Sequence, residues 1–430
     1  MSPMHQPGPR LIQIDIAAIL TFIALSALIL NTIFGPLSAL LFLACGGALI
    51  VSNIQHSAYM LTRWWFLLLL PAYCMLSALW SQYPDNTLRF SAQLMLTLAI
   101  AVVIAGRVST PTLLRSLFVV YGIGVIASLL FGYRPSGAAW YGIFGSKNAF
   151  AAHVAVFALA SVAVLVDRNS PFLLRAGALV GAAIAGPLMI LAQSAGATAM
   201  VVPCVAIIVL IMLTNRLTGL QKVFLAACVA IALAVIALFI VADGEALLAG
   251  ILDGSGKDPT LTGRTDLWAT GYSFIAERPL QGVGFRAFWV RGFAPAEQLW
   301  AMFFVPSGAG FNFHNTYISN TVEIGLIGIG LQIAIIYGGA ALIATYALIR
   351  PTAANAFLLS MQVLVILRSF IEVEVFFEFS VRSILTVCTF IYAAQGLRSL
   401  LHSPPTPAAR PGQRPQAALR AGPATTATGA

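Results

Sequence analysis

The chain has 430 residues, 60% of them hydrophobic and only 9% charged, against the roughly 25% charged residues of a water-soluble domain. A soluble fold of this length is excluded, and the bilayer is the natural solvent. The formal net charge of +9 comes from basic residues scattered through short connections rather than gathered on one face with interleaved aromatics, which argues against a nucleic-acid partner.

Within hydrocarbon a backbone must satisfy its own hydrogen bonds. The sequence has no run of short alternating segments, so helices are expected and a barrel is not. In chain order the candidate spans are Ile14–Leu30, Pro36–Val51, Trp64–Leu79, Leu88–Ala105, Leu113–Phe131, Ala149–Val166, Leu173–Leu191, Ala197–Leu213, Val223–Val241, Tyr317–Leu348, Ala353–Phe370 and Arg382–Gln395. The expected fold class is an all-α polytopic membrane protein of about 12 transmembrane helices with one large extracytoplasmic loop containing short helices. The first run lacks a small-residue cleavage site and reads as a retained span. The tenth is long enough to be tilted or to begin as an interfacial helix. Cys45, Cys74, Cys204, Cys228 and Cys388 fall inside apolar runs with no C-x-x-C pair. No disulfide framework, metal site or cofactor is expected.

Basic residues set the orientation. With the N-terminus inside, Arg63, Arg107, Arg115, Arg168, Arg175, Arg216, Lys222, Arg350 and Arg398 all fall in cytoplasmic connections, as the positive-inside rule requires. Both termini are then cytoplasmic. The expected organisation is a nine-helix region (1–241), a large periplasmic loop (242–316), a three-helix region (317–398) and a disordered tail (399–430) rich in Pro, Ala, Gly and Thr. A loop of that length carries its own structure and function.

Inside the loop, Leu261–Trp268 reads Leu-Thr-Gly-Arg-Thr-Asp-Leu-Trp. Thr262 is expected to cap a helix starting at Gly263. Leu267, Trp268, Gly271, Phe274 and Ile275 would share a face, suited to lying along the membrane surface. Arg264 would sit in the first turn, against the helix dipole. A bound phosphate would resolve that conflict; pairing with Asp266 or a lipid headgroup is the plainer alternative. Arg278–Trp289 follows, where Gly282 and Gly284 permit a tight turn bringing backbone close to a ligand or another segment. Arg286 is a candidate for anion contact there.

Phe313-His314-Asn315-Thr316-Tyr317 marks the return into the membrane. A neutral His314 at the interface suits proton transfer from a sugar hydroxyl, with an amphipathic anchor as the bland alternative. Glu323 lies inside the span, where carboxylates are costly and point to function; a salt bridge to Arg368 or Arg382 competes. Three further clusters face the same side: Gly145–Ala149, Gln193–Thr198, and the Arg368–Glu378 connection. Lys147, Arg264, Arg286, Arg368 and Arg382 are all cations on the side where cations are disfavoured, which suggests an outward-facing anion site.

These motifs resemble the O-antigen ligase/polymerase family of bacterial membrane glycosyltransferases. The resemblance is carried by Thr262-Gly263-Arg264 with Trp268, Arg278-Pro279-Leu280 with Gly282 and Gly284, Phe288-Trp289, His314–Tyr317, and Glu323 with Gly325–Gly328. It implies a metal-independent reaction in which a sugar hydroxyl attacks the anomeric carbon of an undecaprenyl-diphosphate-linked oligosaccharide. By the same resemblance Arg264 would bind the diphosphate and His314 would activate or orient the acceptor hydroxyl. Lys147, Asn148, Arg286, Asn315, Glu323, Arg368 and Arg382 would bind substrate. Ala195 stands where lipopolysaccharide ligases usually carry an arginine. With Phe144–Asn148 upstream, the pattern is similar to exopolysaccharide repeat-unit polymerases of the succinoglycan type.

The leading expectation is therefore a repeat-unit polymerase of the bacterial inner membrane acting at the periplasmic face. Its partners would be the lipid-linked donor, an acceptor glycan or glycolipid, membrane lipids, a chain-length regulator and a flippase. One alternative is an O-antigen ligase acting on lipid A core. Another, of a different class, is a transporter or flippase, against which stands the lack of related halves.

Overall fold

The computed structural model of the chain describes residues 15–135, 139–229, 231, 260–305, 307–308 and 310–402. Among the described residues every named element is a helix, with one isolated bridge, Tyr133 to Gly142, and no named strand. Among the described residues seven helices are long and apolar enough to cross a membrane: Pro84–Arg107, Thr110–Phe131, Lys147–Val166, Phe172–Leu191, Gly196–Arg216, Thr316–Ile349 and Val381–His402. The chain is a multi-pass membrane protein.

Fewer described stretches reach full length than the twelve expected, for local reasons. The second ends at Val51, and Asn53 caps a new helix by accepting the His56 amide at 3.2 Å. Leu37–Val51 and Ile54–Arg63 are bent by 101° and reach spanning length only as a pair. Trp64–Leu79 is divided into a short α-helix, Leu69–Leu76, between 3-10 turns. Ile16–Ile29 and Ala353–Ser369 are apolar but short. Most of the expected ninth span, the first part of the loop (242–259) and the tail from 403 lie outside the described residues.

The long helix Thr316–Ile349 is not one straight rod. Gly325 has φ 63° and ψ −171°, a conformation open to glycine and costly for other residues. The break frees backbone groups, and the turn Arg278–Gly284 fills it. Val283 N donates to Val322 O (2.9 Å), Gly284 N to Glu323 O (2.8 Å), and Leu326 N to Pro279 O (2.8 Å). A Cβ on Gly282 would strike the Glu323 carbonyl, and one on Gly325 would strike the Leu280 carbonyl. The two glycines therefore let two backbones touch, so the close approach expected at Gly282 is to another protein segment.

Two apolar cores result. The larger joins the spanning helices. The smaller gathers Leu267, Val283, Phe288, Trp300, Phe313 and Val322, which binds the loop to the start of the return helix. This corrects the reading of the loop helix as lying along the membrane surface. Leu267 is buried, Gly271 rests against Phe313 and Ile318, and Phe274 packs edge-on to Phe288. Its apolar face covers protein.

Candidate functional site

The site is built where the loop helix Thr260–Glu277, the start of the return helix and the connection Phe370–Ser380 meet. Asn315 caps the return helix, its side-chain oxygen accepting the amides of Tyr317 (2.9 Å) and Ile318 (3.0 Å). The other end of the same side chain donates to the Phe370 carbonyl at 3.1 Å. Thr316 Oγ1 donates to the Glu372 carbonyl at 2.8 Å and receives the Glu374 amide at 2.9 Å. The Asn-Thr pair thus staples the return point to the Phe370–Glu374 backbone.

That staple sets His314 against Glu372. Nδ1 of His314 is 3.1 Å from Glu372 Oε2. His314 has φ 48°, an uncommon conformation for a non-glycine residue, and Asn312 holds it there by accepting the His314 amide at 2.7 Å. Burial alone would raise the Glu372 pKa. The hydrogen bond from His314 and the charges of His314, Arg264 and Arg368 outweigh burial and hold the carboxyl below its ordinary value. An ionised carboxylate only accepts, so the proton of a neutral His314 sits on Nδ1 and Nε2 keeps its lone pair.

Arg264 approaches the same carboxylate. Its Nη2 is 4.0 Å from Glu372 Oε1, and Nη1 donates to the Ile371 carbonyl at 3.3 Å. Trp268, one turn on, donates from Nε1 to the Phe313 carbonyl at 2.8 Å, fixing the helix beside His314. The helix already runs through Thr262, so Thr262 is not its N-cap and Gly263 is not its start. Arg264 consequently lies a full turn into the helix, past the first amides. A carboxylate from another segment, not free amides at the helix end, stands beside its charge.

Beyond Glu372 opens a cavity of about 360 Å³ lined by Asn148, His153, Arg368, Glu374 and Arg382 together with Glu372 itself. Glu374 is buried between two guanidiniums, 2.9 Å from Arg368 Nε and 2.7 Å from Arg382 Nε. Arg368 and Arg382 thus pair with Glu374. Neither forms the bridge to Glu323 that stood as the competing account, and the Glu323 carboxylate instead accepts the Arg286 amide at 3.0 Å. Arg286 grips Glu378 with both arms of its fork, Nε to Oε2 at 3.1 Å and the second nitrogen to Oε1, and stacks over Phe90. Arg286 and Glu323 do not line the cavity. Lys147 is exposed at the first position of its helix and is also absent from the lining. Its neighbour Asn148 does line it and accepts from Ser194 Oγ at 3.4 Å.

The structure therefore brings together Arg264, His314 and Asn315 around Glu372, and Asn148, Arg368 and Arg382 around the cavity. Sequence reasoning marked the Arg368–Glu378 connection but gave no role to Glu372 or Glu374, and it passed over His153. The two glutamates were visible as a Glu-Val-Glu flanked by apolar runs, where a carboxylate needs a cation. Among the described residues no cluster of three His, Cys, Asp or Glu side chains forms a metal site.

A multi-pass helical protein with a connecting segment folded onto a histidine–carboxylate pair beside arginines is the class these features define. Residues 180–333 match the O-antigen ligase family, a stretch that contains Arg264, Arg286, His314, Asn315 and Glu323. The matched stretch holds most of the motifs that carried the resemblance to the O-antigen ligase/polymerase family. It is similar to the exopolysaccharide production protein ExoQ of Rhizobium meliloti, with 36% identity over 263 residues. That alignment covers 58% of this chain and 58% of the relative.

Proposed function

We propose that the protein is a glycosyltransferase that polymerises undecaprenyl-diphosphate-linked oligosaccharide repeat units into exopolysaccharide or O-antigen at the periplasmic face of the inner membrane. The observation that carries this reading is His314, oriented through Nδ1 by Glu372 and set beside Arg264. Nε2 accepts the proton of the acceptor hydroxyl as its oxygen bonds to the anomeric carbon. The bond from that carbon to the diphosphate breaks, and the electron pair leaves with the lipid diphosphate. Arg264, with Arg368 and Arg382 across Glu372, offsets the charge that grows on the leaving group. In this reading guanidinium groups take the part a metal plays in other diphosphate chemistry. A chain-length regulator and a flippase act alongside.

Purified protein given lipid-linked repeat units tests the reading. Wild type lengthens the glycan, while His314→Ala and Arg264→Ala do not, although both variants insert and fold. Polymer of normal length from both would refute the assignment. Because the family match is by description to O-antigen ligase, a second reading is transfer of finished glycan to lipid A core. Supplying purified core separates the two, since a ligase caps it and a polymerase ignores it. Labelling a cysteine placed at Gly256 in intact cells tests the periplasmic orientation. Sugar crossing vesicles without new glycosidic bonds would instead mark a transporter.

A further inference from the structure

The helix Val381–His402 has 22 residues, about 33 Å at roughly 1.5 Å per residue, close to the hydrocarbon thickness of about 30 Å. Its first turn carries Arg382 of the candidate site. Its last turns carry Arg398 and His402, which therefore lie at the opposite membrane face. There they line a second cavity of about 670 Å³ with His56, Tyr59 and Arg63. An adjoining cavity of about 470 Å³ shares Gly106, Gln395 and Ser399 with it. The two form one basin.

The charge in this basin is one-sided. Among the described residues no Asp or Glu lines either cavity. Arg63 and Arg398 take part in none of the ion pairs among the described residues. Arg63 is nevertheless held in place. Its Nη1 donates to Tyr59 Oη at 3.0 Å, and its guanidinium lies over the rings of Tyr59 and Trp64 at 5.8 and 5.9 Å. A planar fork held by stacking has lost little freedom left to pay for in gripping an oxyanion. His56 is fixed as well, with Nε2 3.0 Å from the Gly106 carbonyl. Basic residues that only orient a membrane protein need no shared cavity. These converge on one.

We propose that this basin binds a phosphate group at the membrane face opposite the candidate site, with Arg63 and Arg398 as its principal contacts. An anionic phospholipid headgroup and a soluble phosphate offer the same chemistry, and the test separates them. The full chain, purified in detergent and stripped of lipid, is followed by thermal unfolding. The additions are phosphatidylglycerol, phosphatidylcholine or inorganic phosphate. Phosphatidylglycerol is expected to raise the melting temperature of wild type at a tenfold lower mole fraction than that of Arg63→Gln/Arg398→Gln, with little response to phosphatidylcholine. An equal loss of response to inorganic phosphate in that variant would support the site with a soluble ligand. The control Arg216→Gln/Arg350→Gln removes two cations outside the basin and is expected to keep the wild-type response. Arg398→Gln alone, at an exposed position, gives a reading if the double variant fails to fold. The proposal is overturned if the basin variants respond as wild type does, or if the control loses as much as they do.

Discussion

Arg264 and Arg286 both come from the loop, both meet a carboxylate of the Phe370–Ser380 connection, and both stand near a residue of unusual backbone, His314 or Arg286 itself. They differ in how far they are used up. Arg286 gives Glu378 two nitrogens, covers Phe90, and offers its amide to Glu323. Arg264 has one carbonyl contact and a carboxylate oxygen at the edge of ion-pair range. A bidentate pair is a structural clamp, whereas a loosely held guanidinium can transfer its grip to a ligand. From sequence both were candidates for anion contact, and the geometry separates them.

The largest effect should come from the loosely held side. His314→Ala is expected to lower turnover by about 10²–10⁴-fold, the range of a lost general base. Arg264→Ala should cost about 10²–10³-fold, with unfolding temperatures near wild type in both. A drop in melting temperature equal to that of Arg286→Ala would erase the distinction. Arg286→Ala should act on stability instead. The pair is partly screened, with 37% of the Arg286 side chain exposed, so about 1–3 kcal/mol is expected, less than the 3–5 kcal/mol or so of a fully buried pair. Denaturation in detergent measures it, and turnover per folded molecule should persist.

The smallest effect concerns pH. The Glu372 carboxyl is held below its ordinary value of 4.5. Its ionised form therefore stabilises the fold fully above that pH, and the contribution is lost as pH falls through the lowered folded-state value. Glu372→Gln should remove on the order of 1 kcal/mol and flatten the acid limb of a melting profile. An unchanged acid limb would mean that Glu372 does not tie His314 to the fold.

Much of this fold could be read from the sequence because burial in lipid leaves so few options. Apolar runs reported the seven helices of spanning length among the described residues, and Gly282 reported a close backbone approach. The break at Gly325 could not be read, since Glu323–Gly328 has the composition of an uninterrupted span. Only the turn that fills the gap makes it affordable. Thr262 looked like a cap because Thr before Gly-Arg has the right chemistry, yet the helix had already begun. Of the site, Arg264 and His314 stood out through their motifs. Glu372 lies 58 positions from its histidine, and no local pattern links them.

The seam between Arg278–Gly284 and the broken helix has a further consequence. Amides of Val283, Gly284 and Leu326 are each held by the other segment. Neither can open without exposing the other, so the three should exchange with deuterium at one common, slow rate as a single cooperative unit. The loop is riveted to the bundle at this point. If the proposed function holds, the motion that admits its substrate should pivot elsewhere and leave this rivet in place.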